Sequence, residues 1–293
     1  MRLIKFLIIF GATYVNSNAI NPRGQPIWLT LPPTPSLPQP ISTPQPINGV
    51  KLWSQWYNKQ QGKIPIVMVH GGLGYSAYFG DVLTKLVANQ HSVILVDRRG
   101  HGRSTFNNKD EFTFEMFVED IYAQLEILGV KKHYLVGWSD GAITAMTALL
   151  NPALACNIQK TFLFAGSMVP EDTNSTFSST KIYSDFVSRC ATEYATNQPT
   201  ADFKTFAMKV AKLEARYPQF TTADLRKING SKVAIVGAQY DEAVNREVPA
   251  KLNKAIVGST LIMLDCVSHF APLQDPTRFT QAIERFFGSN SLQ

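Results

Sequence analysis

Residues 135–144 read LVGWSDGAIT. An apolar run enters this stretch, the chain knots through Gly137-Trp138-Ser139-Asp140-Gly141, and an alanine- and threonine-rich run leaves it. The pattern reads as a strand turning at once into a helix. A side chain at either flank of so sharp a turn would strike the neighbouring strand or helix, and glycine at 137 and 141 removes that clash. The residue between them must take strained dihedrals. Ser139 is then pushed out at the strand's carboxyl end, at a helix N-terminus whose positive end favours developing negative charge.

The rest of the chain repeats the strand-then-helix rhythm. NGVKLWSQWYN reads as an early strand, and IPIVMVH (64–70), SVILVD (92–97), HYLVGW, TFLFAG (161–166), KVAIVGA (232–238) and TLIMLDC (260–266) read as further strands. Helical spacing appears over 76–90, 113–128, 140–150, near 246–254 and over 275–287. Continuous apolar strands separated by helices imply a mostly parallel central sheet covered on both faces. The rhythm breaks over about 168–228, which turns polar and helical, with Phe186, Phe203, Phe206, Val210 and Leu213 at helical spacing. That segment reads as a helical cap inserted between two strands of the sheet, a plausible lid over a site at the sheet's carboxyl edge.

Composition limits the partners. The chain has 293 residues, 45% hydrophobic and 17% charged, enough to bury a large core. The net charge of +6 is scattered, and its densest cluster is Arg98, Arg99, His101 and Arg103. No nucleic-acid surface is expected from that distribution. Residues 1–19 have the layout of a signal peptide: basic Arg2 and Lys5, an apolar stretch, then small residues at Ser17-Asn18-Ala19. The apolar part is shorter than the about 20 residues of a membrane span, so no stable membrane insertion is expected. A secreted, extracellular protein or one of the secretory lumen follows. Residues 20–47 are rich in proline, which lacks an amide proton and fixes φ, so this arm or linker cannot pair centrally in a sheet. In an oxidising compartment the three cysteines allow one disulfide and one odd thiol. Cys266 falls in an apolar run and is expected to be a buried strand residue, which leaves Cys156 with Cys190. Asn174-Ser175-Thr176 and Asn229-Gly230-Ser231 are sequons for N-glycosylation, as expected of a secreted glycoprotein.

Serine is a weak nucleophile until a base takes its proton. Of five histidines, His70 and His101 lie in glycine turns, His91 starts a strand and His133 lies just before one. His269 follows the last core strand, on a loop from which it could reach Ser139. An acid must hold the second imidazole nitrogen. Asp241 follows the preceding strand, and its rivals are Glu242, Asp265, Glu171 and Asp172. An oxyanion needs two backbone donors. The amide of Asp140 is one, and the glycine run His70-Gly71-Gly72-Leu73-Gly74 supplies the other, from Gly72 or from Leu73.

Taken in order, His70-Gly71-Gly72, the Asp97-to-Ser104 turn, the Gly137-to-Gly141 elbow, Asp241 and His269 resemble the α/β-hydrolase fold superfamily over roughly 48–288. The elbow, with Ile143-Thr144-Ala145 after it, looks most like valacyclovir-hydrolase-like (biphenyl-hydrolase-like) serine esterases. The resemblance implies an α/β-hydrolase fold with a cap after the sixth strand. It also implies hydrolysis of a small-molecule ester by Ser139, His269 and Asp241, with no cofactor and no metal. It makes the basic cluster a structural turn. Leu73 and Asp140 are the expected substrate-binding residues. Asp140 has two readings: a helix-start acid that favours the dipole, or a partner for a cationic substrate such as an amino-acid ester. The signal peptide, the proline arm and Ala142, where a second glycine is expected, depart from the pattern. Proline-iminopeptidase-like or amidase activity is the enzyme alternative, though Leu73 stands where proline is expected. A non-catalytic binding protein on the same fold is the other.

Overall fold

A computed structural model describes residues 19–22, 24–198 and 201–288. The expected signal peptide lies almost entirely outside the described residues. Eight strands form one sheet: β1 (Gln45–Ile47), β2 (Val50–Tyr57), β3 (Ile66–Val69), β4 (Val93–Asp97), β5 (His133–Trp138), β6 (Ile158–Phe164), β7 (Val233–Ala238) and β8 (Thr260–Leu264). Their order is β1-β2-β4-β3-β5-β6-β7-β8. The pairs from β4 across to β8 are parallel, while β2 runs antiparallel to β4 and to β1. This is the expected mostly parallel sheet. The apolar runs of β3, β4, β5 and β7 are buried throughout because helices cover both faces. Pro46 sits in edge strand β1, where a missing amide is tolerated.

The helices that matter here are α1 (Gly80–Ala88), α2 (Phe114–Ile127), α3 (Asp140–Leu150), the short α4 (Pro152–Ala155), α5 (Lys181–Asn197), α6 (Phe203–Glu214) and the short α7 (Thr222–Leu225). They are followed by α8 (Val248–Ala255), α9 (Ala271–Gln274) and α10 (Pro276–Phe287). Helices α5, α6 and α7 lie between β6 and β7, after the sixth strand. Their apolar faces hold them to the body: Phe186 packs on Phe270 and Tyr78, Tyr194 stacks on Phe206, and Phe206 meets His101 edge-on at 4.8 Å. Gln198, just after α5, donates to the carbonyls of Gly102 and Ser104.

β3 pairs with β4 on one side and β5 on the other, so the chain's winding reverses there. In parallel sheets, ligand crevices open beyond the strands' carboxyl ends at such a reversal. The loops after β3 and β5 meet there, and these are the glycine run and the Ser139 knot.

Two expectations about cysteine are corrected. All three thiols are free. Cys156 is exposed behind α4, while Cys190 lies on the buried face of α5 beside Tyr78, so the expected Cys156–Cys190 disulfide does not form. Cys266 is not a buried strand residue either. β8 ends at Leu264, and Cys266 is a half-buried turn residue with φ 57°. β8 is an edge strand, and its other face-forming residues Leu261 and Met263 are largely exposed.

Candidate active site

Ser139 has φ 55° and ψ −121°, in the left-handed half of the map that non-glycine residues avoid. The glycines around it explain why the chain accepts this. A Cβ on Gly141 would stand 2.0 Å from the Val69 carbonyl oxygen, and one on Gly137 would stand 2.4 Å from that of Gly141. β3, β5 and α3 therefore approach backbone to backbone. The Ser139 amide donates to the Phe164 carbonyl at 2.8 Å, which locks the turn to β6. α3 begins at Asp140, and the amides of Ala142 and Ile143 close its first turn onto the Ser139 carbonyl.

The glycine run lies opposite. A Cβ on Gly71 would touch that of Ser139 at 3.2 Å, and one on Gly72 would stand 3.1 Å from Asp140 Oδ2. Leu73 has φ 58°, and the Gly74 amide donates to the Gly72 carbonyl, tightening the turn. Gly72, Leu73, Ser139, Asp140 and His269 all line one cavity of about 370 Å³. Trp138, Phe177, Tyr183, Phe186 and Phe270 give it aromatic walls. Of the expected site residues only Asp241 stands behind the wall rather than in it.

Asp241 sits at the end of β7, its Oδ1 accepting from the amides of Ala243 and Val244 at 2.9 and 2.8 Å. The same carboxylate faces His269 Nδ1 at 3.1 and 3.3 Å. Burial alone would lower the His269 pKa. The Asp241 carboxylate, with Glu242 and Asp140 behind it, reverses this and raises it above the ordinary 6.5. Glu242, an expected rival of Asp241, does a different job: it accepts from the His269 amide and the Ser268 hydroxyl, both at 3.1 Å. Burial raises its own pKa, and Asp241 adds to this. The other rivals are elsewhere. Asp172 pairs with Lys251, and the Asp265 carbonyl accepts from Arg278. Glu171 is exposed, its carbonyl accepting from Asn245. Ser139 Oγ and His269 Nε2 face the same space without a hydrogen bond between them, a gap common before substrate arrives.

The basic cluster is internal. Arg99 pairs with Asp110 and Asp120, and Arg103 with Asp97. Arg98 is fully buried, stacks on Phe117, donates to the Gly71 carbonyl at 2.8 Å and reaches Asp140 Oδ2 at 3.3 and 3.4 Å. His70 accepts the Arg98 amide at Nε2 and faces the Gly71 carbonyl with Nδ1, so it is neutral. Burial, helped by Arg98, keeps its pKa well below 6.5.

The sequence did not point to the aromatic walls of the cavity, nor to its second carboxyl besides Asp140, that of Glu214 at the last turn of α6. Its Oε1 would lie 2.5 Å from a Cβ on Gly72, so it crowns the glycine run. Glu214 is exposed, but into the cavity, and protein surrounds its carboxyl. That burial, with Asp140 adding and Arg98 opposing, pushes its pKa up to about 8. No motif marks Glu214, and only the docking of the cap brings it here. Among the described residues no group of His, Cys, Asp and Glu side chains is arranged to hold a metal ion, and no helix is long and apolar enough to cross a membrane.

Comparison with known proteins agrees with this architecture. Residues 64–157 match the family model of the alpha/beta hydrolase fold. Over 106 residues the chain is 35% identical to the serine hydrolase BPHL of Homo sapiens, which is 35% of each protein. Over 109 residues it is 29% identical to a proline iminopeptidase of Lactobacillus crispatus (strain ST1), 36% of this chain and 37% of that one. The chain thus spans little more than a third of the length of the curated relatives it matches. A meta-cleavage product hydrolase from Pseudomonas fluorescens IP01 superimposes with a TM-score of 0.69 at 14% identity, covering 85% of this chain and 98% of that one. The chain has the α/β-hydrolase fold, and residues 64–157 carry the part of it that the family model matches.

Proposed function

We propose that the protein is a serine hydrolase that cleaves small carboxylic esters through an acyl-enzyme. The observation that carries this reading is the convergence of a strained, half-buried Ser139 that lines the cavity, an Asp241-held His269 and a glycine turn on one aromatic-walled space. Ser139 Oγ attacks the ester carbonyl while His269 Nε2 takes its proton. Asp241 orients the ring and stabilises the imidazolium. The amides of Asp140 and Gly72, with Leu73 beside them, hold the oxyanion. His269 then hands the proton to the leaving alcohol, and water releases the acyl group by the reverse path.

The preferred ester carries a cationic amine near its acyl group. Asp140 and Glu214 are two carboxyls set against one guanidinium, Arg98, so Glu214 holds its proton in the empty cavity and would ionise only beside a further cation. An ammonium group supplies it. Amide cleavage is the second reading, favoured by the iminopeptidase relatives. Hydrolysis of p-nitrophenyl acetate, butyrate and octanoate, beside aminoacyl esters and aminoacyl p-nitroanilides, separates these, with Ser139→Ala as the control. Turnover that survives Ser139→Ala would sink the serine mechanism. In the same reading residues 1–19 direct the chain to the secretory pathway, which N-terminal sequencing of the exported protein tests.

A further inference from the structure

The proline-rich arm is not spread over the surface at random. From β1 backwards it crosses the molecule and reaches the loops that carry Asp241 and His269. Near β2, the Ser42 carbonyl accepts from the Trp53 indole and the Pro40 carbonyl from Gln55, each at 2.9 Å. Further on, Pro35 packs so tightly on α1 that a Cβ on Gly80 would meet it at 2.8 Å. Next come three successive carbonyls, each bound by a side chain of the body. Pro32 and Leu31 accept from the Arg189 guanidinium on α5, and Thr30 accepts from Gln274 Nε2 at 2.8 Å. Beyond them Trp28 stacks on Tyr240, with ring centroids 4.3 Å apart and planes 12° apart.

Each of the last two contacts reaches a residue adjacent in sequence to the proposed triad, Tyr240 directly and Ser268 through Gln274. Tyr240 immediately precedes Asp241. Gln274 Nε2 also donates to Ser268 Oγ at 2.9 Å, and its Oε1 accepts the Ser268 amide at 2.7 Å. Ser268 precedes His269 and donates onward to Glu242. The Gln274 amide thus spends both of its donors and one acceptor site joining the arm to the His269 loop. Proline-rich chain suits this use. It is stiff before it docks, and its carbonyls lack ladder partners and stand free to accept.

We propose that the arm is a positioning element for the proposed catalytic pair, acting on Asp241 through Trp28–Tyr240 and on His269 through Thr30–Gln274–Ser268, with Gln274 the residue that transmits it. Arg189 ties the same arm to the cap, so cap and His269 loop share one strap. This rests on the serine hydrolase reading, but its test has a readout independent of turnover.

The test uses full-length Trp28→Ala, Trp28→Phe, Gln274→Ala and the Trp28→Ala/Gln274→Ala double variant. Turnover of a p-nitrophenyl ester, melting temperature and the His269 imidazole titration followed by nitrogen NMR are recorded for each. Trp28→Ala and Gln274→Ala should each lower kcat by about 5- to 20-fold with KM nearly unchanged, the cost of a slightly misplaced base. The His269 midpoint should move down towards the ordinary imidazole value as its hold on Asp241 loosens. Trp28→Phe should restore both, and the double variant should be less than additive because the two contacts act on one pair. Should Trp28→Ala not fold, Arg189→Ala carries the same expectation. A lowered melting temperature with kcat and the His269 midpoint both unchanged would overturn the proposal, as would full additivity. A wild type that cleaves nothing, while the His269 midpoint still follows the arm variants, would instead sink the hydrolase reading and leave the strap standing.

Discussion

Ser139 and Glu214 face the same cavity from opposite sides, and they are held there in opposite ways. Ser139 is fixed by backbone. Its positive φ is set by a turn in which three elements touch main chain to main chain, with glycine where any Cβ would collide. Among the described residues no hydrogen bond holds the Glu214 carboxyl, which is set by the packing of α6, whose Phe206, Val210 and Leu213 bury the other face of the helix. The elbow is a close-packed backbone problem with very few sequence solutions. The cap is an amphipathic helix problem, and most of its surface is free to vary. Chemistry should therefore be rigid and brittle on the body side, and selectivity adjustable on the cap side.

The largest expected effect tests the brittle half. Gly141→Ala forces a methyl into the Val69 carbonyl and should yield no soluble folded protein, whereas Ser139→Ala should fold normally and lose about 10⁴-fold or more of its turnover. Ser139→Gly should in addition melt higher than Ser139→Ala, because glycine removes about 1 kcal/mol of left-handed strain. Equal melting points would show that the positive φ costs nothing here.

Arg98 joins the two halves, since it pairs with Asp140 and faces the Glu214 carboxyl. Arg98→Met strands a buried carboxylate and should cost about 3–5 kcal/mol in denaturant unfolding. A near-neutral result would show that the pair is no more stable than an apolar replacement. A smaller effect should follow on the cap side. Glu214→Gln should leave neutral esters untouched and lower kcat/KM for aminoacyl esters by about tenfold, roughly the 1.4 kcal/mol expected of one exposed-to-cavity charge contact. A uniform loss on both substrates would place Glu214 in the structure rather than in selectivity.

The smallest effect is one of pH. In the proposed mechanism His269 must be neutral to accept the Ser139 proton, and its pKa is raised, so kcat/KM should rise with pH through a midpoint above 6.5. Glu242→Gln removes one of the negative charges that hold the imidazolium and should shift that acid limb to lower pH. An unmoved limb would mean that Glu242 serves only the loop's hydrogen bonds.

Much of the body was legible because local rules and global packing agree there. Strand-turn-helix order placed Ser139, and the ends of β7 and β8 placed Asp241 and His269, since a parallel sheet sends every such loop to one edge. The sequence favours Asp241 with Glu242 as its rival, but where two adjacent side chains at a strand end finally point is decided by packing. The structure turns one to the imidazole and the other to the His269 amide. The cysteines misled for a related reason: an apolar run does not reveal that its strand stops two residues early, or that two thiols lie on separate faces.

What the sequence determined by itself was the sheet, its carboxyl edge and the residue types gathered along it, because periodicity and glycine placement act over a few residues. What only the tertiary structure decided was the approach of Glu214 to Gly72, the burial of Arg98 beneath Asp140, and the run of the arm to Tyr240 and Gln274. Those contacts join residues tens to hundreds of positions apart, and each is selected by how whole elements pack rather than by any pattern the neighbouring residues carry.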